Sequence, residues 1–304
     1  MLSLAHVLWH QLQLGDFVLV LAIVLLVTAL ACITARFADV QLFGRQTERV
    51  FKFTANIGIL LALEQAYELA RAQIPYNRDV AFLHSYRILG LEWRHGLFVE
   101  ARVEQFFLKL GPVMNGVDLF YAVGHLVGTI GILVWLYTRR REYYGAIRNL
   151  FVMTTGLALS IFYLYPTAPP RMFANYGFTD PEQMQHLVQA GGAQLSSYTY
   201  NPYAAMPSLH VAYAVIVGAA LILSERKLAW RVAGVIYPAA MAVTVIASAN
   251  HWILDVVGAL LTVLIAWVVL AGSRAAWNTG MSWSGRAATA YRDGRPALPL
   301  VVPE

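Results

Sequence analysis

Two histidines and an aspartate stand at the edges of apolar runs: His210 in PSLH (207–210), and His251 with Asp255 in HWILD (251–255). On a helix, residues four apart share a face, so the Asp255 carboxylate can hold one imidazole N–H of His251 and leave the other nitrogen nucleophilic. Ionisable groups in apolar surroundings are costly and usually kept for function. His210 follows Pro207 and Ser208 at a helix start, where unpaired backbone N–H groups attract anions. From there His210 can protonate a leaving group while the Ser208 hydroxyl and nearby amides hold oxygens. Arg171, just after Pro169 and Pro170, is the only Lys or Arg between 166 and 207, and a guanidinium matches phosphate with paired donors. Catalytic roles are therefore expected for His251, His210 and Asp255, and phosphate binding for Arg171 and Ser208.

A second set extends inward from the same end. Asp118, Tyr121 and His125 are spaced three and four apart in the third apolar run and share a helical face. With Glu64 in the second run and Asn201 in the 166–207 loop, they are expected to line a substrate cavity. No carboxylate cluster points to a metal, and no metal or other cofactor is expected. Cys32 is the one cysteine, which excludes an internal disulfide and a thiolate metal site.

What must position these residues is a membrane bundle. Of 304 residues, 59% are hydrophobic and 13% charged, roughly half the charged share of a soluble domain. Apolar runs of spanning length lie near 17–35, 50–70, 114–137, 147–165, 208–224, 230–249 and 251–271. The expected fold is all-α: a polytopic transmembrane helical bundle of six or seven spans, with an interfacial amphipathic helix in 71–113, before the third span. Residues 1–271 form one domain and 272–304 a flexible cytoplasmic tail. The formal charge of +5 is carried by loops between the runs, which is topology and not a nucleic-acid footprint. Arg139, Arg140, Arg141 and Arg148 flank one connection, and Arg226, Lys227 and Arg231 another, so both belong in the cytoplasm. The polar stations then fall on the non-cytoplasmic face, with the plasma membrane the expected location.

The three stations, taken in order, resemble the type 2 phosphatidic acid phosphatase superfamily. PSLH departs from that family's Pro-Ser-Gly-His only at Leu209, and His251 to Asp255 match its His-x-x-x-Asp. Its first motif ends in Arg-Pro, where this chain has Arg171 and Met172. Two family cations are missing, since Leu164 stands where a Lys precedes the Arg by seven and Val245 where an Arg precedes the His by six. Arg87 and Arg94 are the candidates to replace them. The whole pattern, YPTAPPRM, NPYAAMPSLHVAYAV and ASANHWILDVVGA, looks closer to the inositol phosphorylceramide synthase-like branch over about residues 90–270. The resemblance implies a metal-independent membrane enzyme that forms a phosphohistidine on His251. Its substrate would be a lipid phosphate or phospholipid in the bilayer, and its acceptor a lipid or inositol-type hydroxyl. Hydrolysis by water is the alternative. A lipid transporter or binding protein is the non-enzymatic one, disfavoured because all three stations sit at span ends on one face and no half-and-half repeat is evident.

Overall fold

The computed structural model describes residues 77–179 and 202–292, with side chains as far as Ser273. The runs at 17–35 and 50–70, together with Glu64 and Asn201, lie outside the described residues. Eight α-helices follow in chain order: α1 (Arg78–Arg94), α2 (Glu100–Lys109), α3 (Pro112–Leu119), α4 (His125–Arg139), α5 (Arg141–Leu164), α6 (Leu209–Ser224), α7 (Leu228–Ala247) and α8 (Ile253–Arg292). A π-turn, Phe120–Gly124, joins α3 to α4 without a break, so Pro112–Arg139 is one apolar rod of 28 residues. Among the described residues the only β pairing is a single bridge between Thr167 and Ala204.

Four segments are long and apolar enough to cross a membrane: Pro112–Arg139, Arg141–Leu164, Leu228–Ala247 and Ile253–Ser273. The fifth, α6, is as apolar but has only 16 residues. Their outward faces are greasy. On α8, Leu260, Leu261, Leu264, Ile265, Trp267 and Val268 are exposed, whereas Ala259, Val263 and Ala266 are buried. A water-soluble bundle would put polar side chains on those outer faces; lipid contact explains their absence. The chain is an integral membrane helical bundle.

Two expectations change in detail. The stretch before the third span is a pair of helices, interrupted at Gly96, whose backbone adopts φ 68° and so favours glycine. The last helix also runs on to Arg292, so residues 273–292 of the expected tail are helical. Residues 293–304 lie outside the described residues.

The helix α6 is the bundle's centre, touching α4, α5, α7 and α8. Its closest approach is to α7, and it is made by backbone. Pro238 inside α7 has no N–H to give the carbonyl of Gly234, four residues earlier. That carbonyl occupies the place where a side chain on Gly218 would be, and a Cβ on Gly234 would in turn stand 2.7 Å from the Gly218 oxygen. Small residues let helices meet this closely, and a Cα–H can partly satisfy the freed oxygen. At the end away from the polar stations, Arg140 Nη2 donates to Glu225 at 2.8 Å and Arg140 Nε to the Ser224 carbonyl at 3.2 Å. That ties the start of α5 to the end of α6.

Gly218→Ala should therefore force α6 and α7 apart and destabilise the bundle by about 1–3 kcal/mol, the usual scale for overpacking. The check is thermal unfolding in detergent, with Gly131→Ala as the control, because a Cβ there meets nothing within 4 Å.

Candidate active site

At one end of the bundle, three loop segments that are far apart in sequence hydrogen-bond to one another. The segment after α5 pairs with the segment before α6: Thr167 N donates to the Tyr203 carbonyl at 2.8 Å, and Ala205 N to the Thr167 carbonyl at 3.2 Å. The same post-α5 segment is tied to the turn before α8, where Arg171 N donates to the Ala249 carbonyl at 2.9 Å and Trp252 Nε1 to the Ala168 carbonyl at 3.0 Å. Ser208 N closes the triangle by donating to the Asp255 carbonyl at 3.2 Å. Ala249 adopts φ 49°, which costs a non-glycine residue roughly 1–2 kcal/mol. It sits in a tight turn whose next two amides, Asn250 N and His251 N, both donate to the Val245 carbonyl.

This turn carries His251, which is 5% exposed. The helix begins two residues later, at Ile253, so His251 and Asp255 are not two positions on one helical face as expected. The reason is that the Asp255 carboxylate caps the helix: its Oδ2 accepts from Trp252 N at 2.9 Å. The same oxygen lies 3.4 Å from His251 Nδ1, while the Ala205 carbonyl lies closer, at 2.8 Å. A carbonyl can only accept, so Nδ1 carries a proton, and in the neutral ring Nε2 is the nitrogen that keeps its lone pair. The ring is thus oriented mainly by backbone, with Asp255 as a nearby negative charge.

His210 opens α6 beside it. Ser208 is the N-cap, its hydroxyl accepting from Val211 N at 3.5 Å, and it is fully buried. The His210 ring stacks on Tyr121, with centroids 4.2 Å apart and planes 21° apart, and meets the His125 ring edge-on at 4.3 Å. The His251 ring centroid is 6.0 Å away. The π-turn aims this pair, since Tyr121 lies within it and His125 immediately follows it. A carbonyl at its end, on Gly124, is taken by the Tyr237 hydroxyl from α7 at 2.9 Å; His125 Nδ1 donates to the Tyr121 carbonyl at 3.3 Å. Such turns displace the helical register. Tyr121 and His125 accordingly reach His210, whereas Asp118 makes no hydrogen bond to the cluster among the described residues.

The Arg171 side chain is half-buried on a 3₁₀ turn, Pro170–Met172, and no ion pair engages it among the described residues. Leu164 is 73% exposed and Val245 lies in the core, so neither position offers a cation to this cluster. Arg87 on α1 stands near enough to Tyr165 for its charge to work against the burial that raises the phenol. Arg94 is exposed, its Nε donating to Gly90 O on its own helix at 3.2 Å.

Several residues that support the site carry no motif signal. His84 Nδ1 donates to the Pro166 carbonyl at 2.8 Å with its ring stacked on Tyr165 at 3.8 Å. Ser85 Oγ accepts from Ala168 N at 2.8 Å. Glu92 and Glu100 are wholly buried and bond to amides at the start of α8. The one sequence cue was that Glu92, Glu100 and Glu104 are the only carboxylates between Asp79 and Asp118, in a segment otherwise aromatic, aliphatic and basic.

A family model described as the PAP2 superfamily matches residues 86–269, from within α1 to within α8. The chain belongs to the PAP2 superfamily. Comparison with curated proteins gives no match, and comparison with solved structures gives none. PAP2 superfamily members are phosphatase-type enzymes acting on phosphoesters, and here the matched stretch contains all three cross-bonded loops.

Histidine-selective ¹⁵N spectroscopy should find neutral His251 protonated on Nδ1 and bare on Nε2, with the signal assigned by its loss in His251→Gln. A proton resident on Nε2 would contradict the bond to Ala205.

Proposed function

We propose that this PAP2 superfamily protein cleaves a lipid phosphoester by metal-independent phosphoryl transfer through His251, and passes the phosphoryl group to a hydroxyl acceptor. The observation that carries this reading is the His251 ring held through Nδ1 by the Ala205 carbonyl, which directs Nε2 of the neutral ring away from that bond, with the stacked His210 ring 6.0 Å away between centroids. Nε2 attacks phosphorus, the P–O bond to the leaving group breaks, and protonated His210 gives its proton to the departing oxygen. In the second half the acceptor hydroxyl returns a proton to His210 as its oxygen displaces His251. Arg171, Ser208 and the amides opening α6 hold the equatorial oxygens. Asp255 favours the charge that develops on the His251 ring during attack. Arg87 is the second cation, taking the place that Leu164 and Val245 do not fill.

Burial of His251 supports transfer to a hydroxyl, because bulk water has little access to a phosphohistidine there. The lipid nature of the substrate is supported by the bundle itself and by an open apolar groove of about 470 Å³ between α2 and α7. Val99, Val103, Phe106, Phe107, Val243 and Ile246 line that groove, with Arg102 as its one charge. An inositol-type polyol or a lipid alcohol is the acceptor class, and the site faces the non-cytoplasmic side of the plasma membrane.

The test supplies purified protein with ³²P-labelled lipid phosphate, with and without inositol or a lipid alcohol. A new labelled phosphomonoester of the acceptor is expected, and acid-labile label on the protein. His251→Ala should lower turnover at least about a thousandfold, and Asp255→Asn by less, since Ala205 still orients the ring. Full turnover in His251→Ala would end the proposal; labelled inorganic phosphate as the sole product would replace transfer with hydrolysis.

A further inference from the structure

The start of α8 is held from outside. An α-helix leaves its first amides without intrahelical partners, and here three successive ones are each met by a different carboxylate. Trp252 N donates to Asp255 Oδ2 at 2.9 Å, Ile253 N to Glu100 Oε1 at 3.0 Å, and Leu254 N to Glu92 Oε1 at 2.8 Å. All three carboxylates are completely buried, and among the described residues no Lys or Arg pairs with any of them. Glu100 Oε2 also accepts from Val99 N at 2.9 Å. Glu92 Oε2 has no donor among the described residues, yet it is buried and faces the Glu100 carboxyl. A buried oxygen with no donor beside a buried carboxylate is resolved when it carries a proton and donates to that neighbour.

We propose that Glu92 and Glu100 are positioning residues for His251, sharing one proton and together fixing the first turn of α8 against α1 and α2. The proposal rests on the reading of His251 as the nucleophile. Only Trp252 and Ile253 separate His251 from Leu254, and the turn between is rigid only while its amides keep their acceptors. The ionisable groups acting on Glu92 are Glu100 from α2 and Asp255 from α8, with His251 behind Asp255. Ionising both glutamates would set a second uncompensated charge beside Asp255 and drive the carboxylates apart.

Burial and the neighbouring Glu100 push Glu92 up to about 9. A carboxyl whose folded value is raised contributes fully below the ordinary carboxylate range, and its contribution declines as pH rises through that raised value. The turn therefore loosens on the alkaline side, near pH 9.

Three substitutions and one spectrum test this. Glu92→Gln keeps an oxygen for Leu254 N and supplies an N–H to Glu100, so kcat at pH 7 should stay within about twofold and the alkaline fall near pH 9 should vanish. Glu92→Ala and Glu100→Ala should each lower kcat about tenfold or more with little change in KM, the scale of a buried amide losing its acceptor. Independently of turnover, infrared spectroscopy should show a protonated carboxylic acid band in the wild type. It should titrate near pH 9 and disappear in Glu92→Gln. An alkaline limb unchanged in Glu92→Gln, wild-type kcat in either alanine variant, or absence of the band would overturn the proposal. A wild-type protein that turns over no phosphoester overturns the reading of His251 instead, and the band still decides whether the proton is shared.

Discussion

The buried amides at the site end must each find an acceptor within the protein, because neither the bilayer nor the buried surroundings supply water. The rest of the structure depends on how that demand is met. Ala168 accepts from Trp252, Ala249 from Arg171, Asp255 from Ser208 and Tyr203 from Thr167. Each bond joins two of the three motif-bearing segments, so the positions of His210, His251 and Arg171 are set collectively. This is why segments separated by eighty positions in the chain meet at one end of the bundle.

That platform rests on a bundle whose interior is small and whose exterior is apolar. Gly218 against Gly234 and the buried alanines of α6 and α8 let the helices approach, while large side chains point outward. In lipid there is no hydrophobic gain from hiding Leu, so close backbone packing and hydrogen bonds carry the association. The clusters under the platform are different in kind. Trp252, Phe173 and Phe178 pack edge to face, giving the loop region a solid aromatic floor.

The spans were legible because twenty apolar residues in a row admit few other readings, and five of the seven runs correspond to described helices. The meeting of His210 with His251 and Asp255 was legible because polar residues at the edges of apolar runs are conspicuous. What was hidden depended on backbone. That the Ala205 carbonyl and not Asp255 is the nearer partner of His251 follows from a tight turn with Ala249 at positive φ, which no local pattern announces. The contacts of Tyr121 and His125 with the His210 ring are made from a π-turn and the residue after it, and helical spacing rules assume no such turn. Glu92 and Glu100 were concealed by their neighbours: flanked by Arg87, Arg94 and Arg102, they read as interfacial charges, and only the fold turns them inward toward α8.

The meeting of Gly218 with Gly234 also bears on how the molecule can deform. Where two helices touch through side chains, a rotamer change can absorb a small displacement; where they touch through backbone, nothing between them can give. With Pro238 locking one wall of the contact, α6 and α7 form a single mechanical part. His210, at the head of α6, therefore shares its rigid frame with the turn that leaves α7 and carries His251. The Gly218–Gly234 contact thus fixes the base on which the two rings stand, and the loop bonds and carboxylates at the start of α8 set the rest of their spacing.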